Sequence, residues 1–214
     1  MRRFEPSVDV LLRVFSVLIG TSFTLFLKDS PLPGNSELMR CALTAALFSL
    51  SLRYFMGTGN HLTVTYKEIE SSKKDPPIPI FLKDVTFLLM FGYFVVRISQ
   101  SCSIHEFMCR AEWLLLISFC WSCLDPFFHK IVTRKLPLRK FWLHWLVLNF
   151  TQLVFTLVID HWPCPHTDVT ASVWLGAGYV LFFGWDFCQI IKISSIKAPC
   201  SRENAGLSGP SVAS

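Results

Sequence analysis

The sequence predicts an all-α integral membrane protein, a bundle of about six transmembrane helices with both termini on the cytoplasmic side. Three observations lead there. Six long apolar stretches fill most of the chain, charge is scarce, and the Lys and Arg content of the connections alternates between rich and poor. Of the 214 residues, 52% are hydrophobic and only 16% are Asp, Glu, Lys or Arg. The mean hydropathy is +0.46. A soluble domain usually carries about 25% charge. A bilayer core about 30 Å thick requires roughly 20 apolar residues per helix. Six such spans leave little chain for a soluble domain, so residues 1–198 read as one membrane domain and 199–214 as a disordered Ser- and Gly-rich tail.

The first span covers about 8–27. Arg2 and Arg3 precede it, as in a secretory leader, but Arg13 interrupts the apolar run and no small-residue cleavage site follows. It therefore reads as a retained helix. The second, about 37–57, is entered through Ser30-Pro31-Leu32-Pro33-Gly34-Asn35. The third covers about 80–101. The fourth covers about 106–128, with Asp125-Pro126 as its stop. The fifth and sixth cover about 141–159 and 169–191. Between the second and third spans, Leu62-Thr63-Val64-Thr65-Tyr66 alternates like a short strand, and Lys73-Lys74-Asp75-Pro76-Pro77 reads as an exposed turn. Trp142, Trp145, Trp162, Trp174 and Trp185 fall near helix ends, where amphipathic rings suit the headgroup layer.

Orientation follows from the basic residues. The N-terminus, the second and fourth loops and the tail hold fourteen Lys and Arg. The other three connections hold Lys28 alone, or two with Arg40. The rich side is cytoplasmic by the positive-inside rule. An odd number of spans would break the alternation. The formal charge of +5 is thus an orientation signal and predicts no nucleic-acid partner. The predicted location is an integral, multi-pass one.

Ionisable groups inside a bilayer are costly and need a partner or a purpose. At 100° per residue, Asp9, Arg13, Ser16, Gly20 and Thr24 share one face of the first helix. Ala42, Ala46, Ser49 and Arg53 share one of the second. Asn149, Gln152, Thr156 and Asp160 form a stripe along the fifth, and Ser172, Gly176 and Asp186 share a face of the sixth. Lipid satisfies none of these groups, so the faces are expected to point into the bundle. By depth, Arg13, Arg53, Asp84, Asp125, His144 and Asp186 fall in the cytoplasmic third, and Arg97, Arg110, Glu112 and Asp160 in the outer third. The middle holds Asn149, Gln152, Thr21 and Ser49 without a charge.

For each residue alone, ordinary helix packing is the simpler reading, since interhelical polar bonds are common. Taken as a set, Arg13, Arg53, Asn149, Gln152 and Asp186 are the candidate substrate-binding residues. The function they suggest is binding or conduction of a small solute or ion, with the lipid bilayer as solvent and a homo-oligomeric or other membrane partner open. On that reading, Leu at both Asn149 and Gln152 is expected to spare abundance and stability while removing solute binding or flux.

Two rival classes stay open. Cys120-Trp121-Ser122-Cys123 is a C-x-x-C pair, and by that motif alone the chain resembles the membrane thiol oxidoreductases that pass electrons from dithiols to quinones. The resemblance implies redox-active Cys120 and Cys123, with Cys102 and Cys164 as outer-loop thiols able to form a disulfide. The pair falls toward the cytoplasmic half, which departs from that family's pattern, and buried apolar cysteines are the preferred reading. The other rival is a non-transporting assembly factor, partner subunit or membrane-acting effector. The stretch Asp160-His161-Trp162-Pro163-Cys164-Pro165-His166-Thr167-Asp168 has residue types that suit zinc or copper. It matches no fixed ligand spacing, so it reads as a rigid hairpin and no metal is predicted. The residues name no cofactor. There is no mid-span Lys for a Schiff base, no paired mid-membrane His for haem, no regular Arg series and no P-loop. Gly20-Thr21-Ser22-Phe23 lacks the second glycine and the deep His that an intramembrane serine protease needs. The chain therefore reads as more consistent with a non-enzyme.

Overall fold

The computed structural model describes residues 5–29, 37–71, 78–133, 139–161 and 167–196, and those residues are all-helical apart from short connections. The helices are α1 (Glu5–Asp29), α2 (Glu37–Ser71), α3 (Ile78–Ser99), α4 (Ile104–Thr133), α5 (Arg139–His161) and α6 (Asp168–Ile196). All six are long and apolar enough to cross a membrane. Residues 199–214, assigned above to a tail, lie outside the described residues, as do Pro163–His166 of the fifth connection.

Each helix packs on two neighbours in the order α1, α3, α4, α5, α6, α2 and back to α1, which closes the bundle, and α2 also reaches α3. α2 is the most enclosed. Leu43, Ala46, Leu47, Leu50, Arg53 and Tyr54 form one buried face, while Leu38 and Phe48 on the opposite side are exposed. Its approach to α6 is close because Gly176 has no side chain: a Cβ there would lie 2.6 Å from the Ala42 carbonyl oxygen. Small residues at such crossings let backbones meet, which is the main source of packing energy between helices in lipid.

Four expectations from sequence are corrected. The segment Leu62–Tyr66 is not a strand; α2 runs on to Ser71. Thr58, Leu62, Thr65 and Tyr66 are buried, at the spacing of one helical face, so packing overrides the β-propensity of Thr and Val. Asp125-Pro126 does not end α4, which continues through Pro126 to Thr133. Pro126 has no N–H to give the Ser122 carbonyl four residues back, and the Trp142 indole Nε1 supplies that hydrogen bond instead at 2.5 Å. Trp145 does not lie on the bundle surface: it is 7% exposed and packs inside. Finally, the face of α1 that carries Asp9, Arg13, Ser16, Gly20 and Thr24 points outward, not into the bundle. Phe15, Ser22 and Phe26 on another side of α1 make the contact, and Leu18 seats against Gly92 of α3. The Ser16 and Thr24 hydroxyls donate to their own helix, at Leu12 O (2.8 Å) and Gly20 O (3.0 Å), so neither needs an interhelical partner. The large apolar side chains therefore decide which face docks.

Candidate functional site

The polar faces of α2, α5 and α6 do point inward, and they meet at Arg53. Its side chain is 1% exposed. A buried guanidinium is tolerable only if its five N–H donors find acceptors. Two come from α5, one turn apart: Nη1 donates to Gln152 Oε1, and Nη2 donates to Asn149 Oδ1 at 2.5 Å. α6 supplies the counter-ion, with Asp186 Oδ2 3.5 Å from Arg53 Nε. The planar group also lies against two rings, 5.6 Å from the Tyr54 centroid and 5.4 Å from the Trp145 centroid. Gly57 makes room for Trp145; a Cβ at 57 would overlap its ring.

The network extends outward from this centre. Asn149 Nδ2 donates to Ser122 Oγ on α4 at 2.9 Å. His144, at the start of α5, places Nε2 3.1 Å from Asp186 Oδ1. Four helices thus contribute. Of the five residues singled out from sequence, Arg53, Asn149, Gln152 and Asp186 come together here. Arg13 does not join them, because it sits on the outward face of α1.

The hydrogen bonding of this centre is incomplete. Among the described residues, Arg53 Nε, Gln152 Nε2, Trp145 Nε1 and Asp186 Oδ2 are buried with no hydrogen-bond partner. Three of the four are donors. At 3.5 Å the Arg53–Asp186 pair is an electrostatic contact rather than a hydrogen bond, which makes it the weakest link of the cluster.

A second polar cluster lies further along α2 and was missed from sequence. His61 and Tyr66 of α2 face Lys83 and Asp84 of α3 and Asp125 of α4. Lys83 Nζ bridges Asp84 Oδ1 (3.1 Å) and Asp125 Oδ1 (2.5 Å). His61 Nε2 lies 3.9 Å from Asp84 Oδ1 and 3.7 Å from Asp125 Oδ1. The Tyr66 hydroxyl donates to Asp84 Oδ2 at 3.4 Å. Burial, with the Asp84 carboxylate alongside, raises the Tyr66 phenol above its ordinary value, so it stays a proton donor. A sequence reading that ends the second span near residue 57 leaves His61 and Tyr66 in a loop, which hides the cluster. The helical spacing of Thr58, Leu62 and Tyr66 was the available signal. Arg53 and His61 are about 12 Å apart along the helix axis at 1.5 Å per residue.

Cys120 is exposed on α4 and Cys123 is partly covered, and both are free thiols. Cys102 is free and exposed; Cys164, its expected partner, lies outside the described residues. No protein-family model, curated protein or solved structure matches this chain.

Proposed function

We propose that this chain is a six-span membrane protein, both termini cytoplasmic, that binds a small acceptor-rich solute or anion at Arg53 in its polar interior. The six apolar helices support the membrane setting. The alternation of fourteen basic residues against one or two supports the orientation. On that orientation, the Arg53 centre lies in the half of the bundle nearer the cytoplasm, where α2, α4 and α6 finish and α3 and α5 begin.

The observation that carries the reading is the excess of unpaired donors around a fully buried guanidinium. Each unpaired buried polar group costs about 1–3 kcal/mol. A centre built only to hold helices together would be expected to close its hydrogen bonds, whereas Arg53 Nε, Gln152 Nε2 and Trp145 Nε1 are left for an acceptor. A carboxylate, phosphate or halide meets that need, and in doing so it competes with Asp186 for the guanidinium. Asp186 keeps one neighbour, His144 Nε2 at 3.1 Å, when the guanidinium turns to the solute.

The test is thermal unfolding of the purified protein in detergent against chloride, phosphate, acetate, succinate and glutamate. At least one is expected to raise the melting temperature saturably, by the equivalent of about 2.7 kcal/mol at a hundred times its dissociation constant. Arg53→Lys, which keeps the charge but not the planar fork, is expected to lose that response. A panel without any saturable response, or one unchanged in Arg53→Lys, refutes the proposal and makes the cluster a structural pin.

A further inference from the structure

We propose that Glu112, Asp160 and His161 form a binding site for a first-row divalent cation of the zinc type, at the end of the bundle opposite the Arg53 centre. One ligand atom from each of the three residues lies within 4.8 Å of the others. Ligand atoms around a four-coordinate zinc ion sit about 3.3 Å apart at its usual bond lengths. The set therefore needs only a modest contraction, and His161, whose side chain is 68% exposed, is free to supply it.

The charge distribution needs a cation. Two carboxylates from different helices, Glu112 of α4 and Asp160 of α5, face each other. Among the described residues, no Lys or Arg side chain pairs with either. Glu112 Oε1 is buried with no hydrogen-bond partner. The Asp160 side chain is only 2% exposed. Like charges so placed repel each other, and a shared dication turns the repulsion into attraction.

The surroundings already have the form of an outer ligand shell. His105 Nδ1 lies 2.8 Å from Asp160 Oδ1, which orients that carboxylate and leaves Oδ2 for the ion. His161 turns Nδ1 toward the site, 3.8 Å from Asp160 Oδ2 and 3.2 Å from the Leu157 carbonyl oxygen, so binding through Nδ1 exchanges that carbonyl contact for the ion. One imidazole with two carboxylates, and no thiolate, selects zinc, manganese or iron over copper(I), while the imidazole disfavours magnesium and calcium. Three protein ligands leave a coordination position open for water or a further ligand. The site is separate from the Arg53 centre: Glu112 is about 15 Å from Ser122 along α4, and Asp160 about 16 Å from Asn149 along α5.

The experiment uses the full chain in detergent, stripped with a chelator. Zn2+ is titrated calorimetrically, and Co2+ is added separately for its visible absorption. A single saturable class of sites is expected, with a rise in melting temperature on Zn2+ addition. Glu112→Gln and His161→Ala are each expected to weaken Zn2+ binding at least tenfold, and His105→Ala, acting through Asp160, about tenfold. Without metal, Glu112→Gln is expected to melt no lower than the parent, because it removes the like-charge repulsion. That outcome separates a ligand from a structural carboxylate. Absence of saturable binding, or binding unaltered in the Glu112→Gln/His161→Ala double variant, overturns the proposal. So does loss of binding in Cys164→Ser/His166→Ala with those ligands intact, since it moves the metal to the following connection.

Discussion

Removing one member of the Arg53–Asp186 pair is predicted to harm the protein more than removing both. Both side chains are 1% exposed. Arg53→Met strands the Asp186 carboxylate in the interior with His144 alone, and Asp186→Leu strands the guanidinium with only its two amide acceptors. Stranding a buried charge costs about 3–5 kcal/mol. The double replacement removes both charges and leaves only neutral groups short of a partner, chiefly the Asn149 and Gln152 carbonyls, at about 1 kcal/mol each. The double variant is therefore expected to lose about 2–4 kcal/mol, where simple addition of the single losses gives about 6–10. The assay is a double-mutant cycle on detergent-purified protein, with unfolding followed by helical circular dichroism against a graded denaturing detergent. Additive losses would refute the reasoning, because they would mean that the two residues do not compensate each other's charge. A double variant as stable as the parent would show that the amide acceptors contribute nothing.

Reporter fusions after Lys74 and Lys135 are expected to report the cytoplasmic side, and fusions near Asn35 and Pro165 the outer side; an outer signal at Lys135 would remove the six-span topology. The sequence alone predicts that Asn149→Leu with Gln152→Leu spares stability. Both amides accept from Arg53, so the structure predicts a loss of about 1.5–3 kcal/mol per site, read as a lower melting temperature and lower abundance. Gly176→Val is predicted to cost several kcal/mol, because a Cβ there meets the Ala42 backbone, which cannot move aside as a side chain would. A melting temperature within error of the parent would show that α2 and α6 do not cross so closely.

What could be read from the sequence depended on whether a pattern alone decides how a helix packs. The helices come from long apolar runs, the inward face of α5 from polar residues repeating every three or four positions over several turns, and that of α6 from the shared helical angle of Ser172, Gly176 and Asp186. The Asn149, Gln152, Thr156 stripe was legible because lipid would have left it unsatisfied. Two other signals misled. Asp9, Arg13, Ser16, Gly20 and Thr24 also repeat at helical spacing, but their hydroxyls bond within the helix and the docking face was set by Phe15 and Phe26. Pro126 looked like a stop because proline withholds one N–H. The partner that makes good the loss, Trp142, is sixteen residues away on another helix. Contacts of that kind have no trace in local sequence. The same holds for Glu112, which lies near Asp160 and His161 only after α4 and α5 have packed together.

Solvent access to the Arg53 centre separates a binding site from a sealed pin between helices. Ser118 of α4 is fully buried, and its carbonyl oxygen lies 3.5 Å from Asn149 Nδ2. Ser118→Cys is close to isosteric, and in an otherwise cysteine-free background it reports whether water-borne reagents reach this interior. The protein is reconstituted in vesicles and exposed to a charged, membrane-impermeant thiol reagent from each side in turn. A binding centre open to the cytoplasm predicts modification from the side that carries Lys74 and Lys135, slowed by the anion that stabilises the protein. A thiol that stays unmodified from both sides, in protein shown to be folded, would contradict the account and leave Arg53 as a sealed pin between helices.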